Sequence, residues 1–143
     1  VQQATAGMGW EEIARSAEVA RFLRELDAAT PGAGALGMIS PAGVGVQFSV
    51  LAFPPEPVSF ADRDYVRAQR DPATAGRFLG AAVIARVNGL LVFPYGRPRL
   101  GPDGRPDGGT LWATFRADAF APFFATLLQA PGDVVGVARE DGS

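Results

Sequence analysis

The 143-residue sequence contains no cysteine, no histidine and no lysine, and all 13 of its basic residues are arginines. These absences exclude a thiol nucleophile, a Cys/His zinc site, a Ser-His-Asp triad and a His-ligated haem. They also exclude a Schiff-base lysine, a Walker-type lysine and a disulfide framework. Acid–base catalysis would depend on carboxylates alone, and the sequence places no close Asp/Glu pair in an evident cleft. We therefore expect a non-enzymatic domain without a cofactor or a metal ion.

Long hydrophobic runs are also missing. No stretch of 18 apolar residues is present, and nothing near Val1 resembles a signal peptide, so we expect a piece of a longer protein. Apolar residues nevertheless make up 48% of the chain, which is enough for the core of one domain. The 18 glycines and 12 prolines interrupt the apolar runs and favour strands and turns over long helices.

The charge is unevenly distributed along the chain. The net charge of -2 and the pI near 5.1 argue against a nucleic-acid partner. Residues 62 to 105, however, hold eight arginines against four aspartates. An arginine-rich and acid-poor centre of this kind is suited to a small anionic ligand.

One long amphipathic helix is predicted over residues 10 to 28. Glu11 and Glu12 lie in its first turn, where carboxylates are favoured, and Thr30-Pro31-Gly32 ends it. Its apolar residues recur at helical spacing and form a stripe broad enough for either the core or a partner chain: Trp10, Ile13, Ala17, Ala20, Leu23 and Leu26.

The rest of the chain is predicted to be mostly strands. Asn88-Gly89 is a strong hairpin signal, and Asp103 and Asp107 lie in a predicted turn. The expected elements are strands at 35 to 40 and 45 to 53, a short helix from 59 to 69, strands at 78 to 87, 90 to 96 and 110 to 116, a helix from 118 to 129 and a strand at 133 to 138. This order predicts an α+β fold in which helices flank an antiparallel sheet.

Several segments together resemble Cache domains, which are extracytoplasmic sensors with a PAS-like sheet. The segment Asp62-Arg63-Asp64-Tyr65-Val66 is similar to the DRxYF segment of that family. The resemblance covers residues 34 to 129 and continues in order through Phe78-Leu79-Gly80, the Asn88-Gly89 hairpin, Asp103-Gly104-Arg105, the strand from Gly109 to Thr114 and the helix that starts near Ala119-Phe120.

The resemblance implies a domain organisation and a role. Residues 1–30 would form the N-terminal signalling helix, residues 31–130 the membrane-distal Cache unit, and residues 131–143 either the start of a second unit or an edge strand. The domain would lie in the periplasm as part of a membrane-anchored histidine kinase, diguanylate cyclase or chemoreceptor. It would bind a small molecule and could dimerise through the helix at residues 10 to 28.

The resemblance also implies which residues bind the ligand. Arg63 matches the family's carboxylate-binding arginine, whose guanidinium presents a planar fork of donors. Its structural alternative is a salt bridge to Asp62 or Asp64. Tyr65 matches an aromatic residue that lines the family's pocket, and its alternative is a core position. The remaining candidate ligand-binding residues are Asp62, Arg86, Tyr95 and Arg97. Arginines on strands often face water, and this is the structural alternative for Arg86, Arg97 and Arg99.

Two departures from the family pattern narrow the expected ligand. Val66 replaces the usual Phe or Tyr. Phe115-Arg116 stands where amino-acid-binding members have an Asp for the ligand's ammonium group. A small mono- or dicarboxylate without an amine is therefore favoured over an amino acid. The rival hypothesis is a ligand-free, PAS-like interaction module.

Overall fold

A seven-stranded antiparallel sheet organises the computed structural model, which describes residues 1–70 and 75–136. Its strands are β1 (Ala33–Ile39), β2 (Val44–Phe48), β3 (Val58–Ser59), β4 (Phe78–Leu79), β5 (Val83–Ile84), β6 (Leu91–Leu100) and β7 (Pro106–Arg116). The order is β3-β2-β1-β7-β6-β4, and β5 also pairs with β6. The helices are α1 (Trp10–Arg15), α2 (Ala17–Ala28), α3 (Asp64–Arg67) and α4 (Ala121–Ala125), with 3-10 helices at Gln3–Thr5 and Ala117–Phe120. The predicted α+β class is confirmed.

The predicted N-terminal helix is instead two helices, and this is a correction. Ser16 has an extended backbone (φ -84°, ψ 105°) and separates α1 from α2. Its Oγ accepts a hydrogen bond from Val19 N at 3.1 Å, so Ser16 caps α2. Gln47 Nε2 on β2 donates to the carbonyls of Ile13 at 2.7 Å and Ser16 at 3.2 Å. Both helices pack on the same sheet, but Ala17 of the predicted stripe is exposed and Val19 is buried instead.

The turn of the predicted hairpin at Asn88-Gly89 is present, but its first strand is not continuous. Gly89 has φ +71°, which glycine adopts without strain. Instead of one strand from 78 to 87, the short strands β4 and β5 pair with different parts of β6. Pro94 lies between the two paired regions, and it has no N–H to donate to a neighbouring strand.

The C-terminal segment also departs from the predicted elements. The helix expected from 118 to 129 is reduced to a 3-10 turn followed by α4. Phe120 packs against Phe93 with ring centroids 6.3 Å apart, but both Phe120 and Phe123 are exposed and not in the core. Residues 133 to 136 carry no strand, and the rest of the strand predicted at 133 to 138 lies outside the described residues.

Each face of the sheet carries its own apolar cluster. On one side, here called the helix face, α1 and α2 cover the strands through Ile13, Val19, Leu23, Leu36, Met38 and Leu111. On the other side, here called the α3 face, the cluster consists of Ala35, Ile39, Phe48, Phe60, Tyr65, Val66 and Trp112. Strand alternation produces this division, since Leu111 and Trp112 are neighbours in β7 and point to opposite sides.

A buried arginine fastens the N-terminal segment to the end of the sheet. Arg99 on β6 is 1% exposed and forms an ion pair with Asp107. Its Nη2 donates to the carbonyls of Thr5 at 2.8 Å and Met8 at 2.6 Å. The guanidinium also lies 5.0 Å from the ring centroid of Trp10. Arg99 is therefore a structural residue.

Within the described part of the chain, no helix is both long and apolar enough to cross a membrane.

Candidate functional site

The segment that carries the DRxYF-like residues is held at the edge of the sheet. β3 pairs with β2 through Val44 and Ser59, and Phe60 N donates to Gly43 O at 2.7 Å. The Phe60 ring then enters the aromatic cluster of the α3 face, 5.8 Å from Phe48 and 5.7 Å from Trp112 between centroids. These contacts fix the start of α3, so residues 62 to 65 have defined positions beside the sheet.

Asp62 and Arg86 form a two-pronged ion pair. Arg86 Nη1 donates to Asp62 Oδ1 at 2.8 Å, and Nη2 donates to Oδ2 at 2.7 Å. Nη1 also donates to Ser59 O at 2.6 Å, which ties the β5–β6 turn to β3. Because Arg86 stabilises the charged carboxylate, the pKa of Asp62 falls to about 2. The sequence predicted both residues for the site, and the structure brings them together.

Arg63 forms no ion pair with the acidic residues that adjoin it. It precedes α3 as the N-cap residue, and its Nη2 donates to the carbonyl of Ile84 at 3.2 Å. Asp64 is occupied elsewhere, because its carboxylate accepts from Tyr65 N at 2.7 Å and Ala81 N at 3.4 Å. Among the described residues Arg63 therefore has no carboxylate partner, and neither salt bridge considered as its structural alternative is formed.

Tyr65 is buried in the core beside this segment. The side chain is 2% exposed and belongs to the α3-face cluster. Burial raises its pKa, while the positive charges of Arg63 and Arg86 act in the opposite direction. The ring of Tyr65 lies in the core, as its structural alternative expected, and its role in ligand binding stays a prediction.

Trp112 is a further candidate that the sequence reasoning did not select. It is 4% exposed on β7 and its ring packs edge-on to Phe48, with centroids 6.0 Å apart. The indole also affects the pKa of Tyr65, but Nε1 lacks the geometry of a hydrogen bond and has no partner in the described structure. The alternation of side chains along β7 could have placed Trp112 on this face. It could not have shown that the indole N–H lacks a hydrogen-bond partner.

Tyr95 and Arg97 do not join the other candidates, and this corrects the single site expected from the sequence. Their β7 partners are Ala113 and Leu111, so both side chains lie on the helix face. There they line a cleft of about 200 Å³. The expectation failed because successive side chains of β6 point to opposite faces of the sheet, and the sequence did not indicate which set of side chains faced α3.

The two departures from the family pattern have clear structural positions. Val66 is buried in the α3-face cluster. Arg116 pairs with Asp118, and this interaction lowers the pKa of the Asp118 carboxyl.

Within residues 1–70 and 75–136, no three acidic residues gather in a group that could hold a metal ion.

The fold, but not the sequence, has recognisable relatives. No family model matches the chain, and no curated protein matches it. The extracellular domain of rpHK1S-Z16, a protein assigned as a histidine kinase, superposes with a TM-score of 0.71 at 24% identity. An extracellular ligand-binding receptor from Desulfohalobium retbaense superposes with a TM-score of 0.64 at 16% identity. The comparisons cover 82% and 87% of this chain.

These likenesses establish the architecture. The chain has the α+β fold of such extracellular sensor domains, as the resemblance to Cache domains predicted. It spans 47% of the first neighbour and 22% of the second, so both neighbours contain substantial further parts. At these levels of identity the likeness describes the fold alone.

Proposed function

We propose that the chain is an extracytoplasmic sensor domain that binds a small carboxylate on the α3 face, chiefly through Arg63 and Tyr65. The observation that carries the proposal is the Arg63 guanidinium, which has no carboxylate partner among the described residues although acidic residues adjoin it on both sides. A guanidinium fork of this kind binds a carboxylate through charge-assisted hydrogen bonds. The proposed role is binding and not catalysis.

Two further donors support the same site. The Trp112 indole N–H is buried without an acceptor, and the positive charges of Arg63 and Arg86 lower the pKa of the Tyr65 hydroxyl against the effect of its burial. A buried donor without a partner is costly, and an acceptor on a ligand would relieve that cost. Carboxylate oxygens are such acceptors, so one ligand group would satisfy donors from α3 and β7 together.

The ligand class follows from what the acidic residues are doing. Asp62 is held by Arg86, and Asp64 accepts hydrogen bonds from the backbone. Neither is free to receive the ammonium group of an amino acid, and Arg116 stands where the family has an acidic residue. A small mono- or dicarboxylate without an amine is therefore the proposed ligand.

The first test is a thermal-shift screen with acetate, propionate, pyruvate, succinate, alanine and a purine. A ligand at a concentration 100 times its Kd stabilises the folded chain by about 2.7 kcal/mol, which raises the melting temperature measurably. We expect a carboxylate to produce the shift and Arg63→Ala to remove it. Arg67→Ala is the matched control, because Arg67 is an exposed arginine of the same helix.

A second candidate function, a ligand-free interaction module, has its own supporting observation. Phe48, Phe60 and Trp112 pack against one another with centroids 5.7 to 6.0 Å apart, so side chains of the chain itself occupy much of the α3 face. Absence of a shift with every compound, while wild type and Arg63→Ala both unfold cooperatively, would contradict the carboxylate proposal and favour this module. A shift that survives in Arg63→Ala would remove Arg63 from the site.

The wider context belongs to the same proposal. We propose that the domain lies outside the inner membrane in a membrane-anchored transducer and passes its conformational change to a cytoplasmic output domain, such as a histidine kinase or diguanylate cyclase. Dimerisation through residues 10 to 28 remains a prediction. The stripe it would use already packs against the sheet through Ile13, Val19 and Leu23. A partner helix would therefore have to contact the exposed side, and sedimentation velocity of wild type and Arg21→Glu tests whether it does.

A further inference from the structure

The helix face carries a cleft that is separate from the α3-face site. It has a volume of about 200 Å³, and Leu36, Leu111 and Ala113 form its apolar wall. Gln2 closes one side and is itself fixed, because its Nε2 donates to Leu100 O at 2.8 Å and its Oε1 accepts from Leu100 N at 2.9 Å. The cleft is therefore bounded by the sheet and by an N-terminal segment that Arg99 also anchors.

Two polar side chains line this cleft without partners of their own. In the described part of the chain, neither Arg97 nor Tyr95 has a side-chain hydrogen bond or ion pair, and both are half-buried. No acidic residue is among those that line the cleft. The Arg97 guanidinium is thus an uncompensated positive charge beside an apolar surface, and the Tyr95 hydroxyl adds a second hydrogen-bonding group.

We infer that this cleft is a second binding site, which takes an aromatic or branched monocarboxylate. A cavity of about 150 Å³ lined by apolar side chains holds a benzene ring, so the volume available here suits a ring with one carboxylate. The apolar part would lie against Leu111 and Ala113, and the carboxylate would accept hydrogen bonds from Arg97 and Tyr95. Trp112 borders both sites. This site nevertheless does not depend on the proposed function of the α3 face, because the two sites share neither arginine.

The test measures the binding of 4-fluorobenzoate to the whole chain by fluorine NMR, with 4-fluorobenzamide as its neutral counterpart. Loss of a charged hydrogen bond weakens binding by at least about tenfold, and this is the loss we expect for the benzamide and for Arg97→Gln. Ala113→Leu should prevent binding because it fills the cleft. Arg105→Gln, an exposed arginine of the β6–β7 turn, and Arg63→Gln should bind as wild type does.

Three results would overturn the inference. The first is the absence of saturable binding by wild type, and the second is equal binding of the benzoate and the benzamide. The third is an affinity that falls in Arg63→Gln but not in Arg97→Gln or Ala113→Leu, which would place the probe on the α3 face. The last result would support the proposed function while removing the second site, so the two proposals fail separately.

Discussion

At the scale of single residues, the Asp62–Arg86 pair has a measurable consequence. Replacing Arg86 by Gln removes the charge that holds the pKa of Asp62 at about 2, so we expect that pKa to return toward its ordinary value of 3.8. Because the folded-state pKa lies below the unfolded value, the pair stabilises the folded chain above pH 3.8, and this contribution is lost as the pH falls toward 2. A carboxyl carbon-13 titration of Asp62 by NMR measures the change directly.

The chain contains its own control for that titration. Asp118 is paired with Arg116 and has a lowered pKa for the same reason, but it belongs to a different part of the fold. Its pKa should be the same in wild type and in Arg86→Gln. An Asp62 titration curve that does not move in the variant would mean that the ion pair is not formed in solution.

At the scale of elements, the Ser16 break between α1 and α2 is a capped helix start and not a local irregularity. Ser16→Ala removes the acceptor for Val19 N and should lower the free energy of unfolding by about 1 kcal/mol. Ser16→Asp provides another good N-cap acceptor and should retain most of the wild-type stability. Urea unfolding of the three proteins tests this expectation. Equal losses in the Ala and Asp variants would show that the hydroxyl does not act as a cap.

Elements with strong local signals were predictable, whereas their lengths depended on the tertiary structure. The turn at Asn88-Gly89 and the strand pair β1–β2 were expected from local chemistry and are present. The break at Ser16 was not, because the apolar spacing alone predicted one continuous helix; Ser16 caps α2, and Gln47, 31 residues away in sequence, binds its carbonyl. Likewise, the split between β4 and β5 arises where Pro94 in β6 has no N–H, which is a relation between strands.

At the scale of the whole molecule, the candidate site shows the same limit. The sequence proposed Asp62, Arg63, Tyr65 and Arg86 as site residues, and their binding role stays a prediction; in the fold Asp62 pairs with Arg86, and Arg63 donates to Ile84 O in the neighbouring strand. The sequence also grouped Tyr95 and Arg97 with them, although the register of β6 and β7 places these two on the opposite face. Which side of a strand faces which helix is decided only when the layers assemble, so composition and alternation could not separate the two sets.

Arg99 fastens the N-terminal segment to the sheet, and its replacement tests that attachment across the molecule. Arg99→Leu leaves Asp107 without its ion-pair partner and frees the carbonyls of Thr5 and Met8. Breaking a buried pair costs roughly 3–5 kcal/mol, so we expect a loss of stability of that order in urea unfolding.

Hydrogen exchange adds the location of the effect. Amides near Thr5 and Met8 should exchange faster in Arg99→Leu, and the β1–β7 pairing at the centre of the sheet should be the last to open. Arg105→Leu, which changes an exposed arginine beyond the same strand, should cost little. If both variants are equally stable, Arg99 does not anchor the N-terminal segment. The wall that Gln2 contributes to the helix-face cleft would then be held by its own bonds to Leu100 alone.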